Sequence, residues 1–445
     1  MATLADLDIE QKRRYRTELA RTEAMSAAAL ADYSRTQLSG IAQFAWKHVP
    51  YWRKRLAPLF ARDDFDVAAW SRVPMLTRAA IMEKFTQLQP DAVPAYAGAS
   101  ADGFTSGSTG APMRFRNSAI DDVTNAALTE RSFDWWRLES GRSMASIQFF
   151  PPEWPSLVEG GLLGWRNGEP PGRNLALQLA ESPDAQLDWL LRHRPYYLMT
   201  RPSQAEVLAE GNLRRGLGLS FGKIMTIGGP VAPNCRALCR QSFGAEIYDS
   251  YGSNECGEIA VECPDCRLMH ISSEARLVEV VREDLTACRP GQIGRVLVTS
   301  YSNYAMPLLR YDLGDFAELG PTEAPCGRPF PSLVRVLGRE TETFIRRDGT
   351  RFFPFLVART LQGLMPLKQV QFVQTDYGVV EIRYVPADGN PPIDAEAVQR
   401  FVKSCIGDDF SAILVPVADM PRKPGAKYFY HRCEVRLSTP DAGSR

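Results

Sequence analysis

Downstream of residue 178, helical patterns alternate with short β-rich runs, and this alternation restricts the fold of the chain more than any other feature. The runs Lys223–Ile227, Ala245–Tyr248 and Arg295–Thr299 are each a few residues long, with helix-length segments between them. Such alternation predicts an α/β domain. Upstream, Glu10–Ala20, Ala27–Tyr33 and Leu38–Trp46 carry apolar residues every three or four positions, which predicts an N-terminal helical layer. Met144–Gln178 turns to glycine, proline and aromatic residues, and reads as loop chemistry able to wall a pocket, with Phe149 and Trp154 as its large apolar side chains. After Gly338 the character changes again. Phe344–Arg347, Val370–Val373 and Val379–Val385 look like strands and Asp394–Ser404 like a helix, together a compact α+β unit. At 445 residues the chain exceeds what one core organises, so the expected division is a large domain over 1–337, a link at 338–342 and a small domain over 343–445.

Charge removes some functions. The 52 basic and 52 acidic residues cancel, so no long-range field favours a polyanion, and nucleic acid is not an expected partner. Met1–Tyr15 lacks the apolar centre of a secretion signal, and no stretch approaches the length of a membrane span, so the expected location is the cytoplasm, away from membranes. Nine cysteines, an odd number, suit that reducing compartment, where clustered thiols mean metal or reactivity.

Thr105-Ser106-Gly107-Ser108-Thr109-Gly110-Ala111-Pro112 alternates hydroxyl residues with glycines before a proline. Small residues let backbone N–H groups wrap a phosphate, and hydroxyls add donors. The same composition also serves flexible linkers, and no Gly-Lys-Ser/Thr follows, so this is not a Walker loop. Further along stand Tyr251-Gly252-Ser253-Asn254-Glu255, Arg310-Tyr311-Asp312-Leu313-Gly314-Asp315 and Gly338-Arg339. Carboxylates such as Glu255 suit a hard cation or, at Asp315, a diol, and an arginine suits phosphate or ribose oxygens. Each alone is also an ordinary ion pair or solvated charge.

In order and content these four motifs resemble those of the adenylate-forming superfamily, and most nearly its phenylacetate–CoA ligase group. Gly228-Gly229-Pro230 ahead of Tyr251, Cys326-Gly327-Arg328 and Phe352-Phe353-Pro354 add to the likeness, which runs over roughly residues 40–430. The resemblance implies a large adenylate-forming domain of packed sheets and helices with a small mobile C-terminal lid. It implies an enzyme that activates a carboxylic acid with ATP and Mg²⁺ and transfers the acyl group to CoA. It assigns Thr105 and Ser106–Gly110 to the phosphates, and Gly229, Pro230, Asp249, Ser250, Tyr251, Gly252, Ser253 and Asn254 to the nucleotide. Glu255 would hold Mg²⁺, Asp315 the ribose, and Arg339, in the Gly-Arg that opens the hinge, would reach the nucleotide. Phe149, Trp154, Gly228 and Tyr251 would line an acyl pocket whose aromatic walls favour an aryl or arylacetic acid.

Two positions depart from the pattern. The expected lysine after glycine stands one place later in Pro421-Arg422-Lys423-Pro424-Gly425-Ala426-Lys427, and Lys427 is favoured over Lys423 as the adenylation lysine. Glu340-Thr341-Glu342 replaces the usual acidic pair after Gly338-Arg339, which leaves open a non-CoA acceptor, an adenylyl-transferring relative, or a non-catalytic nucleotide-binding scaffold. Cys263, Cys266 and His270 lie at C-x2-C-x3-H spacing and, with Cys326, form a candidate structural Zn²⁺ site; buried free thiols are the plainer reading, and Cys256 is a spare ligand. The sequence leaves the acid, the acceptor and a homodimer undetermined.

Overall fold

The computed structural model describes residues 8–60, 65–105, 112–150, 157–163, 172–231, 233–339, 343–352, 354, 356, 361, 364–387, 392–420 and 431–435. The chain separates into two compact units, Met1–Val336 and Leu337–Arg445.

The first unit is organised by a twelve-stranded sheet. From one edge the order is Arg276–Val281, Ile293–Ser300, Tyr311–Leu319, Ser332–Arg339, Met269–Ile271, Gly257–Glu262, Glu246–Ser253, Lys223–Ile227, Tyr197–Thr200, Met144–Gln148, Arg173–Gln178 and Leu157–Leu163. From Glu246–Ser253 to Arg173–Gln178 neighbouring strands run parallel. Beyond Glu246–Ser253 on the other side, the described pairings are antiparallel. Parallel strands need crossovers, and the helices Pro183–His193, Pro202–Arg215 and Pro233–Phe243 supply them. The first starts where Ser182 accepts from the amide of Ala185, and it ends at Arg194 in the left-handed region. Leu187, Leu190, Leu208 and Leu238 on these helices bury Leu175, Leu198, Ile224 and Ile247 of the strands.

The N-terminal helices cover the antiparallel half. Ala27–His48 is one helix, joining the two shorter runs expected from the sequence; the intervening Ser34-Arg35-Thr36-Gln37 is polar but contains no breaker. Ile41, Ala42 and Ala45 pack with Trp52, Val296, Val298 and Leu308, and the Trp52 indole donates to Pro307 O at 3.0 Å. The loop expected over Met144–Gln178 instead contributes three strands. Two of them, MASIQ and RNLALQ, are short apolar runs whose signal the surrounding glycine and proline diluted. Among the described residues no helix is long and apolar enough to cross a membrane.

The second unit holds a four-stranded sheet in the order Ser411–Pro416, Val379–Pro386, Leu367–Asp376, His431–Cys433. Its helix, Ala395–Ile406, begins where Asp394 accepts from Ala397 N at 2.9 Å, and buries Val398, Phe401, Val402 and Ile406 with Phe372, Val380 and Ile382.

In the first unit a fully buried ion pair ties the helix Ala119–Trp135 to the sheet. Asp121 Oδ1 accepts from Arg276 Nη2 at 3.3 Å and from the hydroxyls of Ser300 (3.1 Å) and Ser302, and Arg276 also donates to Asn125 Oδ1 at 2.7 Å. Removing one partner strands the other charge without water. Asp121→Ala should therefore destabilise the first unit by about 3–5 kcal/mol, and Asp121→Asn by less, read as the urea midpoint of tryptophan fluorescence.

Candidate functional site

Four parallel strands deliver the candidate residues to one edge. Phe149 follows Met144–Gln148, Arg201 follows Tyr197–Thr200, Gly228-Gly229-Pro230 follows Lys223–Ile227, and Glu246–Ser253 ends in the tyrosine motif. Strand register sets these ends side by side. In open α/β sheets ligands bind outside the carboxyl ends of parallel strands, where connectivity changes direction. Here that change falls at Glu246–Ser253, parallel to Lys223–Ile227 and antiparallel to Gly257–Glu262. The tight turn between the two antiparallel strands needs Gly257, whose φ is +65° and whose Cβ would lie 1.9 Å from Asn125 Oδ1.

Along this edge Thr226 Oγ1 donates to Asp249 Oδ1 at 2.6 Å, and Asp249 N donates to Glu262 Oε2 at 3.0 Å. Burial pushes the Asp249 carboxyl up to about 7, against the pull of the Thr226 hydrogen bond. Gln178 clamps the Phe150 backbone, accepting from its N–H at 3.1 Å and donating to its carbonyl at 3.2 Å.

The hydroxyl-rich segment joins two antiparallel strands, Ser100–Phe104 and Arg114–Ser118. Thr105 closes its neck. Its N–H donates to Met113 O at 3.0 Å, and its hydroxyl oxygen accepts from Met113 N at 3.0 Å and Arg78 Nη2 at 3.2 Å. The hydroxyl proton stays available for another acceptor. Ser106, Gly107, Ser108, Thr109 and Gly110 lie outside the described residues. Asn254 Nδ2 donates to Phe104 O at 3.3 Å, which fastens this hairpin to the tyrosine motif.

Two phenols join the second and third motifs. Tyr251 donates to Asp315 Oδ2 at 2.9 Å, and Tyr311 donates to Glu255 Oε1 at 3.0 Å. Burial and the adjoining carboxylates raise both phenols well above their usual range, so both stay neutral donors. Glu255 is itself buried, and a buried carboxylate whose Oε1 accepts from a neutral phenol is a ligand type that suits a hard cation. Arg310, in contrast, is structural: it donates to Glu279 and to the carbonyls of Ser71 and Val73. Arg339 ends the strand Ser332–Arg339 and belongs to the second unit; Trp154, Thr341 and Lys427 lie outside the described residues. Trp135 and Trp136 are buried in a core cluster.

On the antiparallel side, Cys263, Cys266, His270 and Cys326 bring their ligand atoms within 4.8 Å of one another. His270 Nε2 is 3.2 Å from Cys326 Sγ and 3.8 Å from Cys266 Sγ, while its Nδ1 faces Phe330 O at 3.3 Å. Donors around a tetrahedral zinc stand about 3.5–3.8 Å apart, and a carbonyl on the far nitrogen sets the tautomer that frees Nε2 to ligate. The three-sulfur, one-nitrogen donor set fits zinc. Cys256 lies apart, in the core under the N-terminal helices.

Sequence reasoning did not single out Arg78, Gln178, Arg201 or Thr226. The first, second and fourth act through contacts distant in sequence, which no local pattern signals. Arg201 carries a local signal, an arginine immediately before a helix-opening proline.

No family model matches the sequence. Phenylacetate-coenzyme A ligase of Thermus thermophilus is 27% identical over 264 residues, 53% of this chain and 59% of that protein, so the match spans about three fifths of the relative's own length. Phenylacetate-coenzyme A ligase of Pseudomonas putida is 24% identical over 363 residues, 78% of this chain and 79% of the relative. The solved structure of 2-hydroxyisobutyryl-CoA ligase in its postadenylation state superposes with a TM-score of 0.71 at 19% identity, over 93% of this chain and 91% of that one. The fold is therefore that of the adenylate-forming ligases.

The folded protein keeps the Asp249 proton up to about pH 7, whereas an unfolded aspartate loses it near pH 4. Between those limits the native state binds more protons, so this group lowers stability as pH rises. Asp249→Asn, neutral throughout, should remove about 1–2 kcal/mol of the stability lost between pH 5 and 7, measured by urea unfolding of both proteins at each pH.

Proposed function

We propose that this chain converts a carboxylic acid into its acyl-adenylate with ATP and Mg²⁺, then passes the acyl group to coenzyme A. The observation that carries the reading is the pair of phenol–carboxylate hydrogen bonds, Tyr251 to Asp315 and Tyr311 to Glu255, which join two motifs at the strand ends. The shared fold and the likeness to two phenylacetate-coenzyme A ligases support it.

In the first step a substrate carboxylate oxygen attacks the α-phosphorus, the bond to the bridging oxygen of the β-phosphate breaks, and pyrophosphate leaves. Thr105 and Ser106–Gly110 cradle the phosphates with hydroxyl and amide donors. Gly229, Pro230, the strand end Asp249–Ser253 and Asn254 after it border the nucleotide, and Asp315 accepts from the ribose hydroxyls while Tyr251 fixes its orientation. Glu255 would hold Mg²⁺, which when bound neutralises charge on the phosphate oxygens. Lys427 offsets negative charge as the α-phosphorus is attacked, and Arg339 reaches the nucleotide. In the second step the CoA thiolate attacks the acyl carbon and AMP departs with the bonding pair. Phe149, Trp154, Gly228 and Tyr251 wall the acyl side, and their aromatic surface favours an aryl or arylacetic acid.

The cluster of Cys263, Cys266, His270 and Cys326 would hold zinc as a structural staple, in keeping with reduced thiols in a cytoplasmic protein. Metal analysis after purification without chelator should give one zinc per chain. Stripping it should lower the thermal midpoint by several degrees, with recovery on zinc addition, and absence of zinc ends this assignment.

Acid-dependent ATP–pyrophosphate exchange tests adenylation, and mass analysis of products formed with CoA tests the transfer. Lys427→Ala should reduce exchange by about 10²–10³-fold and Lys423→Ala by far less; equal losses, or none, remove Lys427 from the first step.

A further inference from the structure

Arg201 has no role in the reaction as derived above, yet it stands in the middle of the acyl-side wall. The strand before it, Tyr197–Thr200, lies between the strand that ends at Phe149 and the one that ends at Gly228. Its guanidinium carbon is 4.6 Å from the centre of the Phe149 ring. A methyl group on Gly228 would come 3.7 Å from Arg201 Nε. The side chain therefore runs along the strand ends, partly buried, between two residues of the proposed acyl pocket.

What it lacks is a partner. The other deeply placed arginines are matched: Arg131 by Glu274, Arg276 by Asp121 and Asn125, Arg310 by Glu279. Among the described residues no carboxylate reaches Arg201 and its guanidinium donates no hydrogen bond. Burial alone, with no opposing charge, draws its pKa below the ordinary arginine value. The position is also wrong for local reasons. Arg201 is the N-cap of Pro202–Arg215 and makes no side-chain cap, where serine, threonine or aspartate stabilises a helix and a cation faces the positive end of the dipole. A residue that breaks local preference and remains unpaired beside a pocket is expected where function holds it.

We propose that Arg201 binds a second carboxylate on the substrate, so that the enzyme activates a dicarboxylic acid at one end while the guanidinium holds the other. The inference rests on the ligase reading. A forked pair of N–H donors matches a carboxylate, and the Phe149 ring under the guanidinium orients the fork. In the aryl class the substrate is a ring bearing a carboxylate besides the one that reacts. The distal carboxylate stays ionised and unreacted; only the proximal one forms the bond to phosphorus.

The test is pyrophosphate exchange with matched pairs, phenylacetate against 4-carboxyphenylacetate and hexanoate against adipate, in wild type, Arg201→Lys and Arg201→Gln. In at least one pair wild type should prefer the dicarboxylate in kcat/KM by about tenfold or more, Arg201→Gln should abolish that preference, and Arg201→Lys should restore part of it. Circular dichroism confirms that each variant is folded. Monoacids used as well as dicarboxylates by wild type, or a preference untouched by Arg201→Gln, overturn the inference while leaving the ligase reading intact. If no acid supports exchange, the ligase reading fails, and calorimetric binding of 4-carboxyphenylacetate decides the inference. Binding weakened about tenfold by Arg201→Gln sustains the site; equal binding, or none to wild type, removes it.

Discussion

The strand Glu246–Ser253 is hydrogen-bonded to a parallel neighbour on one side and an antiparallel one on the other, and the site depends on that double pairing. The parallel side aligns its end with those of Lys223–Ile227 and Tyr197–Thr200, so that the segments leaving these strands start side by side on one edge, where open α/β sheets bind ligands. The antiparallel side returns the chain at once through Gly257, which seats Glu255 in the turn where Tyr311 can reach it. A residue with a larger side chain at 257 would strike Asn125, and Asn125 is held by Arg276. The turn that presents the acidic residue is thus braced from below by the buried ion pair.

Much of this was legible in the chain. The β-rich run Lys223–Ile227 is a strand with the same limits, and the helix expected over Asp394–Ser404 runs over Ala395–Ile406 with Asp394 as its cap. The Cys/His spacing likewise pointed to donors that the fold gathers. Those signals are local: a cap, a short apolar run, a knuckle. Where the signal was diluted the reading failed, as in Met144–Gln178, where strands alternate with glycine and proline. Partners such as Arg78 for Thr105, Gln178 for Phe150 and Thr226 for Asp249 were not legible, because each pair is set by tertiary packing, the last two by strand order, rather than by neighbouring sequence.

The two halves of the sheet carry different work. The parallel half is buried by crossover helices and exposes its strand ends, where Phe149, Arg201, Gly228 and Tyr251 stand. The antiparallel half supplies the fixed partners: Asp315 and Tyr311 from one strand, and the thiol cluster beside Met269–Ile271. Loops on the first half can change while the second half keeps the carboxylates in position.

The strand Ser332–Arg339 is hydrogen-bonded between Tyr311–Leu319 and Met269–Ile271, although it is the last in sequence of the twelve. During synthesis every earlier strand emerges before it. Until it arrives, the strands fall into two separate sheets, one of three and one of eight, each with an open edge facing the other. Joining them is a long-range closure that comes late, so the nascent chain carries unpaired edges through much of its translation. The segment that links the two units is thus also the piece that seals the first.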